Sequence, residues 1–207
     1  MKTLWKSMRA GLKSGVGDMT WEVGTWHNHK GKLDICTSGL HASVRAIDAM
    51  RYVDCEILAL VEVRGKHLKQ DDKQCWSEMR VVKAYRWEKP DSVAMAIYSA
   101  ELVIGEYEKR YPDDKRPRRA IEAAKAWLEN PTEENRAAAY AASAAYAASA
   151  AYAANAAKAA AYAAYAANAA KAAAYAASAA YAASAAVLDK VEAWIQARIT
   201  TLNEVQP

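Results

Sequence analysis

The sequence of 207 residues lacks the short motifs by which several large enzyme classes are recognised. It contains no G-x-x-x-x-G-K-[S/T] phosphate loop, no G-x-G-x-x-G dinucleotide motif, no H-E-x-x-H zinc motif and no G-x-S-x-G nucleophile elbow. Phenylalanine is also absent. The four histidines occur without a nucleophile elbow, so they do not indicate a Ser/His/Asp catalytic triad. The sequence therefore offers no complete catalytic set.

Cysteine is scarce, and its spacing excludes the common structural uses. Cys36, Cys55 and Cys75 are odd in number and include no C-x-x-C pair, and neither His27 nor His29 has zinc spacing to a cysteine. Free thiols in a reducing compartment are the simplest interpretation. We therefore predict a protein of the cytoplasm of a bacterial host, with no metal site.

Long apolar runs are also absent. The N-terminal residues 1–9 are too polar for a signal peptide. Residues 137–157 are uncharged and long enough to cross a membrane. However, alanine contributes a free energy of membrane insertion near zero, and the Ser and Asn residues of this span make insertion less favourable. We predict no membrane segment.

The net charge of +4 is spread unevenly along the chain. Residues 1–90 carry 16 Lys and Arg against 11 Asp and Glu, whereas residues 91–136 carry 8 against 10. A surplus of +5 over 90 residues falls short of a nucleic-acid footprint, so a nucleic-acid partner is not favoured.

One block of the chain is made almost entirely of alanine. Between Ala137 and Ala186, 35 of 50 residues are alanine, and neither Gly nor Pro occurs from 132 to 204, which predicts helix. The non-alanine residues of this block are separated by fourteen intervals that together span 44 residues. The mean interval is shorter than one turn of an α-helix, so these side chains cannot all lie on one face of a helix. Either one helix of roughly 110 Å forms, or the helix folds back near Asn155 or Asn168. We expect at least one break, because an isolated helix gains little from burial.

The first 90 residues predict a small, mostly antiparallel sheet with one covering helix, that is, an α+β domain. Turns are expected at Asn28–Gly31 and at Gly65-Lys66, and a loop at Asp71-Asp72-Lys73. The helix would begin at Ser43 as its cap and run to about Val53. The predicted strands are Met19–Trp26, Leu33–Cys36, Glu56–Arg64 and Ser77–Trp87.

Helical periodicity replaces the strand pattern after Pro90. A helix capped by Asp91 or Ser92 runs to about Tyr111, and a second one, with Pro117 in its first turn, ends at Glu129. Thr132 caps a third helix, and an amphipathic stripe over residues 187–199 predicts docking on the domain or on another chain. The domains predicted are 1–90, 91–136 and 137–207.

The best candidate binding motif is Gly39-Leu-His-Ala-Ser43. Gly39 permits a tight turn, and His41 would lie at a helix start whose N–H groups face an anion. We predict His41, Ser43 and Arg45 as binding residues. A glycine turn with a surface histidine explains the same pattern.

Three further clusters have simpler explanations. The loop Asp71-Asp72-Lys73 offers too few oxygens to hold a divalent cation. Glu78 opens a strand, where a carboxylate can act as a general base, although most such glutamates are merely exposed. The mixed charges of residues 113–119 favour a salt-bridged loop between helices.

Two segments resemble known families. Residues 18–83, with Glu22-Val-Gly24, the segment from Ile35 to Ser43 and Val61-Glu-Val63, resemble an uncharacterised domain family of phages and bacteria that often has an alanine-rich tail. Residues 107–127 (YEKRYPDDKRPRRAIEAAKAW) resemble the helical segment of immunity proteins from polymorphic toxin systems. The resemblances imply a setting of conflict between mobile elements and hosts.

A third, fainter similarity is to the motif order of ADP-ribosyltransferases. Gly39–Ser43 is followed by Tyr52, by the strand Ile57–Val63 and by Ser77-Glu78. The resemblance implies NAD as cofactor and Glu78 as the carboxylate that polarises the nicotinamide ribose, with His41 beside it. The family's early His or Arg that grips the NAD ribose is not matched, because His27 is too close to Gly39.

The sequence leaves three functions open. The first is a non-enzymatic accessory protein of a phage or mobile element that needs no cofactor and binds and blocks a host factor, such as a defence component. The second is the NAD-dependent enzyme with Glu78, and the third is a structural spacer or virion component. In the first reading the helical tail is a surface for homo-oligomerisation.

Overall fold

The computed structural model describes residues 1–139 and 185–205, a small antiparallel sheet followed by helices. The predicted α+β class is confirmed. The chain forms two compact units, one of Met1–Glu88 with the C-terminal residues from Ile195, and one of Lys89–Trp194. The predicted long helix or hairpin of the alanine block falls on residues 140–184, which lie outside the described residues.

The sheet of the first unit has five strands, and every pairing is antiparallel. The strand order is β1-β4-β5-β2, and β3 pairs with a neighbouring stretch of β5. A short helix, α1, covers four residues. The elements are β1 (Lys2–Met8), β2 (Trp26–Asn28), β3 (Leu40–Ala42), α1 (Ala46–Ala49), β4 (Ile57–Lys69) and β5 (Gln74–Arg86).

The sheet curls until β1 meets the end of β3. The Trp5 amide donates to the Ser43 carbonyl and the Ser43 amide donates to the Trp5 carbonyl, both at 2.8 Å. Curvature of this kind encloses an apolar interior without a second sheet. The interior contains Leu4, Met8, Trp21, Leu40, Ala42, Ile57, Ala59, Val61, Val63, Trp76, Met79, Val81 and Ala84.

The hairpin of β4 and β5 is longer than the sequence predicted. The expected turn at Gly65-Lys66 is wrong, because β4 continues to Lys69 and the pairing only shifts between Arg64 and His67. Gly65 has φ 84°, the left-handed conformation that a bulge of this type requires. The chain reverses at residues 70–73 instead, where a loop was predicted.

Three other expectations for this unit are wrong. Of the expected strand Met19–Trp26 only Trp26 lies in a strand. In place of the expected strand Leu33–Cys36, residues 35–37 form a turn that is closed by the Asp34 amide, which donates to the Ser38 carbonyl at 2.8 Å. Ser43 does not cap a helix, because its backbone pairs with Trp5 and α1 begins only at Ala46.

The second unit follows the predicted helices closely. Helix α2 spans Lys89–Arg110 and α3 spans Arg116–Glu129, with Pro117 in its first turn. Residues 133–139 are helical, and the Asn135 amide donates to Thr132 Oγ1 at 3.2 Å, which confirms the predicted cap. α3 buries one side against its unit, namely Ala120, Ile121, Ala124 and Trp127.

The C-terminal helix α4 (Ala185–Ile199) carries the predicted apolar stripe, since Leu188, Val191, Ile195 and Ile199 are buried. Residues beyond it belong to the first unit. The Arg86 amide donates to the Asn203 carbonyl at 3.1 Å, and the Val205 amide donates to the Ala84 carbonyl at 2.7 Å. These bonds protect the end of β5, which would otherwise present open backbone groups.

Candidate functional site

A cavity of about 430 Å³ lies in the first unit, beside the place where β1 meets β3. Its walls come from β1, from residues 14–21, from the turn at 35–37, from 39–43 and from the segment after α1. Aromatic and cationic side chains share this lining, among them Trp5, Lys6, Trp21, His41, Tyr52 and Lys73. Concave sites of this size and mixed chemistry are typical of small-molecule binding.

Lys6 occupies an unusual place for a lysine. It alternates along β1 with Leu4 and Met8, two residues of the apolar interior. Its Nζ donates to the His41 carbonyl at 2.9 Å and lies 5.2 Å from the centre of the Trp21 ring. Burial lowers the pKa of this amine to about 8. At neutral pH the protein therefore holds a poorly hydrated cation in the cavity wall.

His41 lies on β3, opposite Cys75 of β5, rather than at the start of a helix as the sequence predicted. Its Nε2 is 3.3 Å from the Asp34 carbonyl oxygen. Burial, and then the charge of Lys6, lowers the pKa of the imidazole. An imidazole in this state is largely neutral at pH 7 and takes up a proton only if negative charge arrives nearby.

The loop before β5 is tied to the segment after α1. Lys73 Nζ lies 4.5 Å from the centre of the Tyr52 ring and donates to Cys36 Sγ at 3.5 Å. The Tyr52 hydroxyl donates to the Asp72 carboxylate, and burial together with Asp72 raises the pKa of Tyr52. These contacts hold Lys73 at the cavity.

The three cysteines are free, as predicted. Cys36 is exposed in the cavity wall, whereas Cys75 is buried and its Sγ donates to the Ser38 carbonyl at 3.1 Å. Burial raises the pKa of the Cys75 thiol, which makes it a poor nucleophile. In the ranges 1–139 and 185–205 no group of three or more His, Cys, Asp and Glu side chains is arranged to hold a metal ion.

The predicted site residues are only partly brought together. His41 and Ser43 both line the cavity, and Arg45 is half-buried just before α1. Glu78 is outside that lining and pairs with Arg64, whose Nε donates to the carboxylate at 2.6 Å. Arg64 also covers the Trp26 ring at 4.1 Å. His41 and Glu78 therefore do not share this cavity.

Lys6, Tyr52 and Lys73 were not predicted as parts of this site. A signal for Lys6 existed, because a lysine at the middle inward position of the alternating run Lys2–Met8 is out of place in a core strand. Tyr52 and Lys73 each belong to a segment noted in the sequence, but nothing local places them beside His41, since that depends on a contact between distant segments.

The second unit contains a separate polar cluster between α2 and α3. The Asp114 carboxylate accepts hydrogen bonds from Arg116 Nε at 2.7 Å, from Arg116 Nη2 at 2.6 Å and from the Tyr107 hydroxyl at 2.7 Å. These bonds hold the pKa of Asp114 well below its usual range. Glu108 and Arg118 form a second two-bond pair nearby. The predicted salt-bridged loop is thus present.

We expect Asp114→Asn to lower the free energy of unfolding by about 1–2 kcal/mol at pH 7, because charge-assisted hydrogen bonds are lost. Since the folded-state pKa is depressed, this contribution is fully present above the unfolded carboxylate pKa, declines below it and is lost only as the pH falls through the folded-state pKa. Urea unfolding at pH 7 and at successively lower pH values measures it. Asp113→Asn, an exposed neighbour, is the control and should change little; equal effects of the two variants would contradict the assignment.

The family comparisons divide the chain near the boundary between the two units. Residues 88–205, more than half of the chain, match the family described as Imm-5 like putative immunity protein. The chain belongs to this family. Residues 2–90 of this immunity-family protein match a domain of unknown function, DUF7666. The resemblance of residues 107–127 to immunity proteins is thereby confirmed, and the first 90 residues do match an uncharacterised domain family. No curated protein and no solved structure gives a significant match.

Membership of the immunity family indicates a role in binding a protein partner. In the parts of the chain that the structure describes, no helix is both long and apolar enough to span a membrane. The exposed polar surface of α3, with Arg119, Glu122 and Glu129, is suited to a water-facing interface.

Proposed function

We propose that this immunity-family protein is a non-enzymatic accessory protein of a phage or mobile element. It acts in the bacterial cytoplasm by binding a protein effector, either a toxin or a host defence factor. Binding covers the active or binding site of the effector and thereby blocks it. The observation that supports this proposal is the family match over residues 88–205.

The loop between α2 and α3 is the best candidate contact surface in the second unit. Tyr111 is 39% exposed, and its ring lies 5.0 Å from that of Tyr107. The bonds around Asp114 fix the loop, so little conformational entropy is lost when a partner binds. Tyr and Arg are the side chains that most often dominate binding energy, and Arg119 is exposed at the start of α3.

The test co-expresses the full chain with protein effectors encoded beside its gene, and with host defence proteins, and measures growth and the affinity of each purified pair. We expect the chain to protect growth against one effector class. The Tyr111→Ala and Arg119→Glu variants should each bind that effector about tenfold more weakly. Glu134→Lys, a charge reversal at another exposed position, is the control. Light scattering on the same complexes decides whether the chain is an oligomer.

Glu78→Ala separates binding from catalysis. A blocking protein keeps its full protection in this variant, because Glu78 is engaged by Arg64 in the first unit. Loss of protection together with loss of NAD consumption would overturn the proposal in favour of an ADP-ribosyltransferase. Protection without any complex between chain and effector would also overturn it.

A further inference from the structure

The cavity of the first unit gathers more positive charge than its own carboxylates balance. The two charged groups are Lys6 of β1 and Lys73 of the loop before β5, and both line the same space as the largely neutral His41 of β3. Both lysines lower the pKa of His41, so their charges act on the same region. Asp18 is the carboxylate in the lining, and that of Asp34 accepts hydrogen bonds from the Cys36 and Thr37 amides instead.

Part of the remaining wall is aromatic. Trp5 and Tyr52 contribute to the lining beside small and aliphatic residues, and Tyr52 is 46% exposed. Trp21 also borders the cavity but is almost fully buried, and its indole is fixed by its Nε1, which donates to Ser14 Oγ at 2.9 Å. Flat rings beside cations suit a ligand that carries a planar heterocycle and an anionic group. A volume of about 430 Å³ exceeds the need of a bare inorganic anion and lies at the lower end of small-molecule sites.

We propose that this cavity binds a mononucleotide, with the phosphate near Lys6, His41 and Lys73 and the base against the aromatic wall. The site lies in the DUF7666 domain and is independent of the effector contact proposed for the second unit.

The chemistry of each group fits this ligand. An ammonium group carries three donors, and the His41 carbonyl accepts one from Lys6, so the same amine can also bind a phosphate oxygen. A neutral nucleoside would leave the charges of the two lysines uncompensated, and inorganic phosphate would leave the aromatic part of the wall uncovered. Both parts of the ligand are therefore needed.

The experiment is calorimetric titration of the full chain at pH 7 with AMP, GMP, CMP and UMP, with the four nucleosides and with inorganic phosphate. We expect at least one nucleotide to bind with a Kd below 1 mM, on the order of a typical weak small-molecule site. Its nucleoside and inorganic phosphate should each bind at least about tenfold more weakly. Binding by phosphate alone with equal affinity, or by none of the nucleotides, would overturn the proposal.

Variants locate the site. Lys6→Gln and His41→Gln should each weaken nucleotide binding about tenfold, whereas Lys32→Gln, at an exposed position, should not. Melting curves show whether each variant is folded. If Lys6→Gln is folded and binds as tightly as the natural chain, the site is elsewhere and the proposal fails.

Proton uptake gives a second readout that a merely structural role would not produce. An arriving phosphate raises the pKa of Lys6 and His41, so the heat of binding should depend on the buffer's ionisation enthalpy. Lys6→Gln should reduce this dependence. The titratable groups that face or adjoin the site are Lys6, Asp18, Asp34, Cys36, His41, Tyr52, Lys73 and Cys75.

Discussion

Replacing Gly39 by alanine is expected to lower the free energy of unfolding by roughly 2–5 kcal/mol, because two separate costs add. Gly39 has φ 120°, a conformation that side chains disfavour. A Cβ built there would lie 2.3 Å from Cys75 Sγ and 2.9 Å from Leu33 Cδ2. Cys75 is fully buried and its thiol donates a hydrogen bond to the Ser38 carbonyl, so its sulfur has no room to move away.

Gly24→Ala is the matched control for Gly39→Ala. Gly24 has φ 85°, but no atom lies within 4 Å of a Cβ built there, so only the backbone cost of about 1 kcal/mol applies. Urea unfolding followed by tryptophan fluorescence compares the two variants. Adding Cys75→Ala to Gly39→Ala should recover part of the loss, since the close contact disappears. Equal losses at the two glycines would show that the packing of Gly39 against Cys75 is not as described.

The elements predicted correctly are those whose signals are local. Thr132 and Pro117 mark helix starts through short-range chemistry, and the apolar run Ile57–Val63 forms a strand in any context. β2 and β3 have three residues each, too few to show a period, and they exist because β5 offers them an edge. Strand β1 was missed since Lys6 interrupts its apolar alternation.

The candidate site was found only where the motif lies in one stretch of sequence. Gly39, His41 and Ser43 are neighbours along the chain and do form one wall of the cavity. Lys6 reaches His41 across 35 residues, and Lys73 reaches Cys36 across 37. The pairing of β1 with β4 and of β3 with β5 creates these contacts, and a single sequence carries no record of them. Glu78 failed to join the cavity for the same reason.

Lys6→Met is expected to stabilise the protein by roughly 1–3 kcal/mol at pH 7 while it weakens nucleotide binding about tenfold. Methionine fits the apolar alternation of Leu4 and Met8, and it removes the cost of holding a poorly hydrated ammonium group. The lost hydrogen bond to the His41 carbonyl offsets part of the gain. A residue that weakens its own fold in this way is typical of a binding site.

The pH dependence identifies the cause of the stabilisation. The folded-state pKa of Lys6 is about 8, below the ordinary 10.5, so between these values the unfolded chain binds more protons and the natural protein gains stability as the pH rises. The advantage of Lys6→Met should therefore be constant below pH 8 and shrink between pH 8 and 10.5. Urea unfolding at pH 7 and pH 10 measures it, and Lys2→Met, at an exposed position of the same strand, should show neither effect.

A second measurement on the same variant follows the imidazole of His41. Because the Lys6 charge lowers the pKa of His41, removing that charge should raise the pKa, which an NMR titration of the ring protons detects. A His41 pKa that stays unchanged in Lys6→Met would show that the two groups do not share the cavity. A variant less stable than the natural chain at every pH would show that the Lys6 amine serves the fold and not a ligand.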